Sequence, residues 1–279
     1  MIHERAPAKV NLVLQVGHVR DDALHEVCSL FASLDLADDV TVEPRLAARA
    51  DLVACAHVPG PNLASSAIAE MRAALGGDLP RLAVTIDKRI PVAAGLGGGS
   101  ADAAAVLRAA NRIAGSPLDA DELRRIGARI GADVPSQVEP AHALVTGAGE
   151  HVEPLALPPM ALVLIPQDDG LSTTEVYRAA DQIGSTRARL DPDRLRALAG
   201  VPLENLAAAL ENDLEPAALH LRPELADELE GLTRAGALAA RVTGSGPTTF
   251  GVFPDRASAD QAAARLSSKA VVTALRAPP

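Results

Sequence analysis

The sequence predicts an α/β or α+β fold in each of two halves. Patterns typical of strands alternate along the chain with patterns typical of amphipathic helices. Residues 153–159 contain three prolines, which favour an extended connection between two domains. A cluster of glycines at 95–99 separates a strand from a helix in the first half. We therefore expect one domain over residues 1–153 and a second over residues 160–279.

Two segments of the first half, 8–16 and 82–88, alternate between apolar and other side chains as half-buried strands do. The pattern at 8–16 assigns Val10, Leu12, Leu14 and Val16 to one face and Lys9, Asn11 and Gln15 to the other. Apolar stripes at helical spacing predict helices over 62–75, 101–114 and about 119–130. Asp119 and Glu122 are spaced as an aspartate version of a capping box, which supports the start of the third helix.

The second half begins with a short buried strand over 161–165. After it, helices are predicted near 172–182, 202–212 and 223–235, strands near 239–243 and 248–253, a helix over 256–268 and a strand over 270–275.

The composition excludes several classes of protein. Of the 279 residues, 48% are apolar and 22% are charged, which is typical of a globular chain and not of a disordered one. The net charge of −10 disfavours nucleic acid or an anionic membrane surface as the main partner. Two cysteines, Cys28 and Cys55, are too few for a disulfide framework. Without a long apolar run or a signal-peptide pattern, we expect a cytoplasmic protein with no membrane span.

The segment from Ile90 to Asp102 reads IPVAAGLGGGSAD and joins a strand to a helix. Its glycines let backbone N–H groups approach a ligand without interference from a Cβ atom. The helix that follows adds the positive end of its dipole, so the segment predicts an anion site suited to phosphates. We expect Ser100 to cap this helix and to offer a hydroxyl to phosphate or Mg²⁺. The structural alternative is a flexible glycine turn capped by serine, and the spacing matches neither a Walker A loop nor the dinucleotide fingerprint.

Four further features allow both a functional and a structural interpretation. Lys9 is one of three lysines among 26 basic residues, and it is either a solvated edge residue or a site where a compact ammonium is needed. Asp133 is either a turn or helix-capping residue or a general base and charge partner for Lys9. The turn 243–247 is either a simple hairpin or a closure over a ligand. His25 is by itself typical of a surface or capping residue.

Taken in this order, the motifs resemble those of the GHMP kinase superfamily, and within it the kinases of 4-diphosphocytidyl-2-C-methyl-D-erythritol. The segment PVAAGLGGGSADAA at 91–104 resembles the family's ATP-phosphate loop. PAKVNL at 7–12, DALHE at 22–26 and GADVP at 131–135 resemble its opening strand, a substrate segment and its catalytic-aspartate segment. TGAGE at 146–150, NDLE at 212–215 and TGSGP at 243–247 extend the similarity over nearly the whole chain.

The resemblance implies an α+β, two-domain GHMP kinase fold. The N-terminal domain would be similar to domain 2 of ribosomal protein S5, and the C-terminal domain would be ferredoxin-like. The implied reaction moves the γ-phosphoryl group of ATP, with Mg²⁺, to the 2-hydroxyl of the cytidylated sugar alcohol on the non-mevalonate route to isoprenoid precursors. The implied partner is therefore a small molecule, and we expect a monomer or a weak dimer.

The resemblance also implies site residues. Lys9 and Asp133 would be the catalytic pair, with Asp133 as base and Lys9 as its electrostatic partner. ATP would lie against Asn62 near the adenine and against Pro91, Ala94, Gly95, Leu96, Gly97, Gly98, Gly99 and Ser100 at the phosphates. The substrate would contact Asn11, His25, Tyr177, Gly244 and Ser245. We expect positive charge in the cleft from the helix after the glycines, from Lys9, and from Lys88 and Arg89; the metal ligands stay undefined.

Two adjacent positions depart from the family pattern. The tyrosine that packs on the cytosine ring is Leu24 here, and the glycine before it is Ala23. Two other functions therefore stay open at this point. One is a sister GHMP kinase that acts on another small alcohol, of homoserine or mevalonate type, and the other is a nucleotide-binding module without catalysis.

Overall fold

The computed structural model describes residues 1–56, 58, 62–77 and 79–277. Its first half contains strands β1 (Ile2–Val19), β2 (His25–Pro44), β3 (Leu52–Cys55), β4 (Leu82–Asp87), β5 (Ala143–Gly147) and β6 (His151–Pro154), and helices α1 (Leu63–Ala74), α2 (Gly98–Ile113), α3 (Ala120–Ala128) and α4 (Val134–Val138). The second half contains strands β7 (Ala161–Ile165), β8 (Glu211–Asn212), β9 (Ala239–Val242), β10 (Thr249–Phe253) and β11 (Val271–Ala274), and helices α5 (Thr173–Ile183), α6 (Pro192–Leu198), α7 (Leu203–Ala208), α8 (Glu215–Leu221), α9 (Leu225–Arg234) and α10 (Arg256–Ala263).

The first sheet has seven strands and is built around the long hairpin of β1 and β2. Strand order is β3-β4-β2-β1-β8, with β5 paired to β2 and β6 to β5. Helices α1 to α4 cover one face, where the alanine-rich stripe of α2 packs on Val40, Val42 and Val84. Small side chains let α2 lie close to the sheet, which compensates for the scarcity of aromatic residues in the chain.

The second sheet has the ferredoxin-like arrangement that the resemblance implied. Its strand order is β11-β7-β10-β9, every neighbouring pair is antiparallel, and α9 and α10 pack against it. The α+β, two-domain prediction is therefore confirmed. The domain boundaries at 153 and 160 stay a prediction, although the stretch between β6 and β7 contains no regular element.

The two halves share one hydrophobic core. The face of the first sheet that the helices leave open, with Val10, Leu12 and Leu30, packs directly on Leu162 and Phe250 of the second half. β8, from the second half, also pairs in parallel with β1 beside Val13 and Leu14. Contacts of both kinds fix the position of one half against the other, so residues distant in sequence can be held in one cleft.

Most predicted elements are present, and the differences lie at their ends. The helix expected over 202–212 ends at Ala208, because residues 211–212 instead form strand β8, which pairs with β1. The helix expected over 256–268 ends at Ala263. Asp119 and Glu122 do form the capping box of α3. None of the helices in the described part of the chain is long and apolar enough to cross a membrane.

The predicted face assignment for β1 is wrong beyond residue 12. The pairing of β1 with β2 shifts between Asn11 and Val13, which is a β-bulge, and the bulge exchanges the two faces of the strand. Leu14 therefore lines the same cleft as Lys9 and Asn11. Gln15 lies away from the cleft, where its Nε2 donates to Glu211 at 3.0 Å.

The start of α2 also differs from the prediction. The helix begins at Gly98, its N-cap is Gly97 in the left-handed region at φ +71°, and no side chain caps it. Ser100 is therefore not the cap that the sequence suggested but a residue of the first turn, half-buried and facing the cleft. The N–H groups of this turn have no side-chain acceptor, so they are available to an anion.

Truncation of Leu12 tests whether the two halves share one core. Leu12→Ala removes a fully buried side chain and should lower the free energy of unfolding by roughly 2–5 kcal/mol. Leu46→Ala, at a side chain that is 88% exposed, is the control and should change it by less than about 0.5 kcal/mol. Urea unfolding followed by circular dichroism measures the free energy of unfolding of both variants. Two separate transitions, only one of which moves in Leu12→Ala, would contradict a common core.

Candidate active site

A cleft of about 640 Å³ opens between the two halves of the chain. It is lined by residues from β1, β2, the glycine segment, the loop before α4, helix α5 and the turn 243–247. Of the predicted site residues, the cleft brings together Lys9, Asn11, His25, Gly95, Gly97, Ser100, Asp133, Tyr177, Gly244 and Ser245. A volume of this size is in the range of small-molecule sites.

The Lys9 side chain is 6% exposed, and its Nζ lies 3.3 Å from Asp133 Oδ2. The same ammonium donates to Asn11 Oδ1 at 2.8 Å and lies 4.7 Å from the centre of the Phe31 ring. Its backbone N–H donates to the carbonyl of Leu96 in the glycine segment, at 3.0 Å. Lys9 is therefore not a solvated edge residue. A buried ammonium needs an anion and acceptors, and the site supplies both.

Asp133 occupies the N-cap position of α4, but its side chain makes no capping hydrogen bond. The carboxylate, one third exposed, instead faces Lys9 and the cleft. The capping interpretation of Asp133 thus does not apply. A carboxylate that faces the cleft beside an ammonium can accept a proton from a bound hydroxyl group.

Asn11 fixes Lys9 and links it to the other half of the chain. Its Nδ2 donates to Ser29 Oγ at 2.8 Å, and its backbone N–H donates to Thr243 Oγ1 at 3.0 Å. Asn212 Nδ2 in turn donates to the carbonyls of Val242 and Gly244, each at 2.8 Å. The turn 243–247 is therefore bound to β1 and closes the cleft, and the simple hairpin interpretation is incomplete.

The glycine segment approaches its neighbours so closely that side chains would not fit. A Cβ atom on Gly95, at φ +73°, would lie 2.6 Å from the carbonyl oxygen of Gly246. One on Gly97 would lie 3.0 Å from Cγ of Lys9. Ala94 and Leu96 are buried in the shared core and anchor the segment, so only their backbone is available to a ligand. Pro91 is half-buried and does not line the cleft.

His25 and Tyr177 meet in the same cleft. Their ring centres are 4.9 Å apart, with the planes tilted by 36°. Nδ1 of His25 donates to the carbonyl of Gly17 at 3.0 Å, and Nε2 lies 3.4 Å from Asp181 Oδ2. Burial, with a smaller effect of the Asp133 charge, raises the pKa of Tyr177 to about 12, so its hydroxyl stays protonated.

Asn62 is outside this cleft. Its Oδ1 accepts from the N–H of Ala64 at 2.9 Å and caps α1. The next residue, Leu63, has its Cδ1 3.6 Å from where a Gly99 Cβ would lie, so Asn62 is beside the outer side of the glycine segment. Gly98 and Gly99 form the start of α2 at that place.

The prediction that Lys88 and Arg89 supply free positive charge is wrong. Lys88 binds two carboxylates, Asp38 and Asp102, and Arg89 is paired with Asp39. The cleft contains instead Arg178, which the sequence analysis did not identify and which has no ion-pair partner in the described residues. Asp181 and Thr173 were missed in the same way, because they lie on an ordinary amphipathic helix with no local motif.

A larger cleft, of about 1090 Å³, is lined by the end of β1, the start of β2, strands β5 and β6 and residues 187–196. Several of its arginines already bind carboxylates, as Arg20 binds Glu150 and Arg196 binds Glu153. It contains none of the predicted site residues. The smaller cleft is therefore the candidate active site, because it joins an anion site to a possible base.

Comparison with known proteins agrees with this geometry. Two family models match the chain, GHMP kinases N terminal domain over residues 62–139 and GHMP kinases C terminal over residues 191–272. A 4-diphosphocytidyl-2-C-methyl-D-erythritol kinase of Anaeromyxobacter dehalogenans (strain 2CP-C) is 42% identical over 95% of this chain and 85% of its own. The chain belongs to this branch of the GHMP kinase family. A kinase of the same name from Streptomyces avermitilis is 39% identical over 99% and 95% of the two chains.

Solved structures of GHMP kinases have the same fold. A crystal structure of 4-(cytidine 5'-diphospho)-2C-methyl-D-erythritol kinase matches with a TM-score of 0.80 and 33% identity, over 99% of this chain and 100% of that one. Homoserine kinase from Cytophaga hutchinsonii matches with a TM-score of 0.73 at 18% identity, over 99% and 94% of the two chains, which shows the shared fold alone.

An alanine at Gly97 tests the close approach of this GHMP kinase's loop to Lys9. Gly97→Ala and the control Gly76→Ala both put a side chain at positive φ, +71° and +62°, and each should cost about 1–2 kcal/mol of stability. A Gly76 Cβ would have no neighbour within 4 Å. Only Gly97→Ala should displace Lys9 and lower kinase turnover roughly tenfold or more. Equal turnover of the two variants, measured by ADP release, would contradict this geometry.

Proposed function

We propose that this chain transfers the γ-phosphoryl group of ATP to the 2-hydroxyl of 4-diphosphocytidyl-2-C-methyl-D-erythritol. The observation that carries the proposal is the pair Lys9–Asp133, 3.3 Å apart, in one cleft with an uncapped helix start. Relatives about 40% identical over nearly the whole chain bear the name of this activity. The kinase family uses ATP, and the cleft has room for an alcohol beside the glycine segment.

In the proposed mechanism, Asp133 accepts the proton of the 2-hydroxyl as its oxygen attacks the γ-phosphorus, and ADP leaves. Lys9 pairs with the Asp133 carboxylate and offsets the negative charge that develops on the transferred group. Asn11 holds the ammonium in place through its Oδ1. Such a reaction needs little covalent chemistry from the protein, so positioning and charge account for most of the acceleration.

The nucleotide is proposed to lie along the glycine segment, residues 95–100, with its phosphates at the start of α2. Backbone N–H groups there have no side-chain acceptor, and the helix dipole favours negative charge. Asn62 would then lie near the adenine, on the outer side of the segment. Ala94 and Leu96 would support the loop from the core rather than touch the phosphates with their side chains. Pro91, which is half-buried, would act from outside the cleft.

Mg²⁺ is proposed as the second cofactor. No cluster of three or more His, Cys, Asp or Glu side chains that could hold a metal occurs in the described part of the chain. This fits Mg²⁺, which is commonly held by one or two protein oxygens together with substrate phosphates and water. Ser100 and Asp133 face the same cleft and offer such oxygens. When bound, the ion would neutralise charge on the transferred phosphoryl group.

The cytidine end of the substrate is proposed to lie between His25 and Tyr177, with Gly244 and Ser245 at the other wall of the cleft. Leu24, half exposed, lies at the same end. We propose in addition that the protein acts as a monomer or a weak dimer. Cys28 and Cys55 are both free thiols, which fits action in the cytoplasm.

Charge removal at Lys9 and Asp133 tests the mechanism. Lys9→Met and Asp133→Asn should each lower kcat by about 10²–10³-fold, because each removes electrostatic stabilisation or the base. Lys269→Met and Asp168→Asn, at an exposed pair of the same two residue types, should leave kcat unchanged. ADP release with Mg²⁺ and the cytidylated substrate measures the rate. Full activity of both site variants would refute the mechanism, and turnover of homoserine or mevalonate alone would refute the substrate.

Restoring the family aromatic at position 24 tests the cytidine end. Leu24→Tyr should lower the KM for the cytidylated substrate by roughly 5- to 150-fold, since base stacking on an aromatic ring is worth about 1–3 kcal/mol. The KM for ATP should not change, because Leu24 is not part of the proposed nucleotide site. Leu46→Tyr, at an exposed side chain remote in sequence, is the matched control. A KM for the cytidylated substrate that does not fall would place the base elsewhere.

A further inference from the structure

Two of the three lysines of this chain lie beside consecutive glycines of residues 90–100, which we call the phosphate segment. A Cβ atom on Gly97 would lie 3.0 Å from Cγ of Lys9, and one on Gly98 would lie 3.2 Å from Nζ of Lys88. Lys9 belongs to the proposed catalytic pair. Lys88 lies on the other side of the segment and outside the lining of the cleft, so its presence beside Gly98 needs a different explanation.

Lys88 is held by two buried carboxylates. Its Nζ donates to Asp38 Oδ2 at 2.5 Å and to Asp102 Oδ2 at 2.8 Å. The side chain of Lys88 is 14% exposed, and those of Asp38 and Asp102 are 0% and 3% exposed. Burial lowers the pKa of Lys88, but the neighbouring carboxylates outweigh it and raise the pKa, so the ammonium stays charged.

The two carboxylates belong to elements at the two ends of the phosphate segment. Asp38 lies in β2, and its Oδ1 accepts from the backbone N–H groups of Arg89 and Ile90, at 2.6 and 2.8 Å. It therefore fixes the chain where the segment begins. Asp102 lies in the second turn of α2, where the segment has ended. Lys88 is the bridge that joins these two attachments.

We propose that Lys88, Asp38 and Asp102 form a positioning cluster that holds the start of α2 at a set distance from β2, and thereby aims the phosphate segment at Lys9 and Asp133. The proposal rests on the proposed function for the identity of the nucleotide. Lys88 acts through Asp102 and the helix rather than as a direct phosphate ligand. Its charge is already exceeded by those of two carboxylates, so the cluster offers no surplus positive charge to a phosphate.

One carboxylate oxygen of the cluster is buried without a hydrogen bond, which packing alone would not favour. Oδ1 of Asp102 is buried and has no hydrogen-bond partner among the described residues, and burial raises the pKa of this carboxyl group. A leucine would be less costly at a position with only a structural role. Close contact with Gly98 also limits the cation to a compact ammonium, because a guanidinium is broader and planar.

Nucleotide binding, which does not depend on the alcohol substrate, tests the cluster. Lys88→Met and Asp102→Ala should each weaken binding of a non-hydrolysable ATP analogue about tenfold, since displacements near 1 Å can cost on the order of 10²-fold. Asp102→Asn keeps an oxygen acceptor for Lys88 and should bind within about twofold of the unmodified protein. Lys269→Met, at the third lysine, is the control and should bind equally well. Titration calorimetry gives the Kd, and thermal unfolding reports whether each variant folds.

Asp102→Ala separates positioning from direct contact. If Lys88 bound the phosphates itself, release from Asp102 would strengthen ATP binding; tighter or unchanged binding in folded Asp102→Ala therefore overturns the proposal.

In steady-state assays the KM for ATP should rise while the KM for the alcohol stays constant, and a rise of both equally would also overturn it. If Lys88→Met does not fold, Asp102→Ala decides. Protein that binds the analogue but phosphorylates no cytidylated alcohol would refute the proposed function and leave this test intact.

Discussion

An ammonium group that is removed from water needs a nearby anion and hydrogen-bond acceptors, and Lys9 finds them in Asp133 and Asn11. Much of the site follows from this requirement. Asp133 occupies the N-cap position of α4, but its side chain faces Lys9 and does not cap the helix. Asn11 is held in turn by Ser29 and by Thr243 of the other half. Asn11, which holds the Lys9 ammonium, is therefore also a contact between the two halves at this place.

The second constraint is the space around that lysine. Gly95 and Gly97 adopt positive φ values and lie too close to Gly246 and Lys9 for any side chain. The same backbone turn leaves the first N–H groups of α2 uncapped. Close packing and a helix start that is open to an anion thus both favour glycine at these positions, which is why this loop carried so much of the information in the sequence.

The sequence predicted the parts of the fold and site that local patterns encode. The glycine segment and the capping box of α3 are examples, whereas the ferredoxin-like half and the pairing of Lys9 with Asp133 were expected from the resemblance. Alternation alone assigned Gln15 to the wrong face, because a β-bulge leaves no simple trace in the sequence. The partners of Lys88 could not be predicted, since Asp38 and Asp102 are distant in sequence and meet only through tertiary packing.

The most direct measurement is a crystal structure of the protein with a non-hydrolysable ATP analogue, Mg²⁺ and the cytidylated alcohol. We expect triphosphate on residues 95–100 and the acceptor oxygen within about 3.5 Å of the γ-phosphorus, in line with the leaving oxygen. We also expect Asp133 within about 3.2 Å of that acceptor oxygen and Lys9 between the carboxylate and the phosphoryl group. Triphosphate bound away from the glycines, or an acceptor hydroxyl out of reach of Asp133, would contradict it.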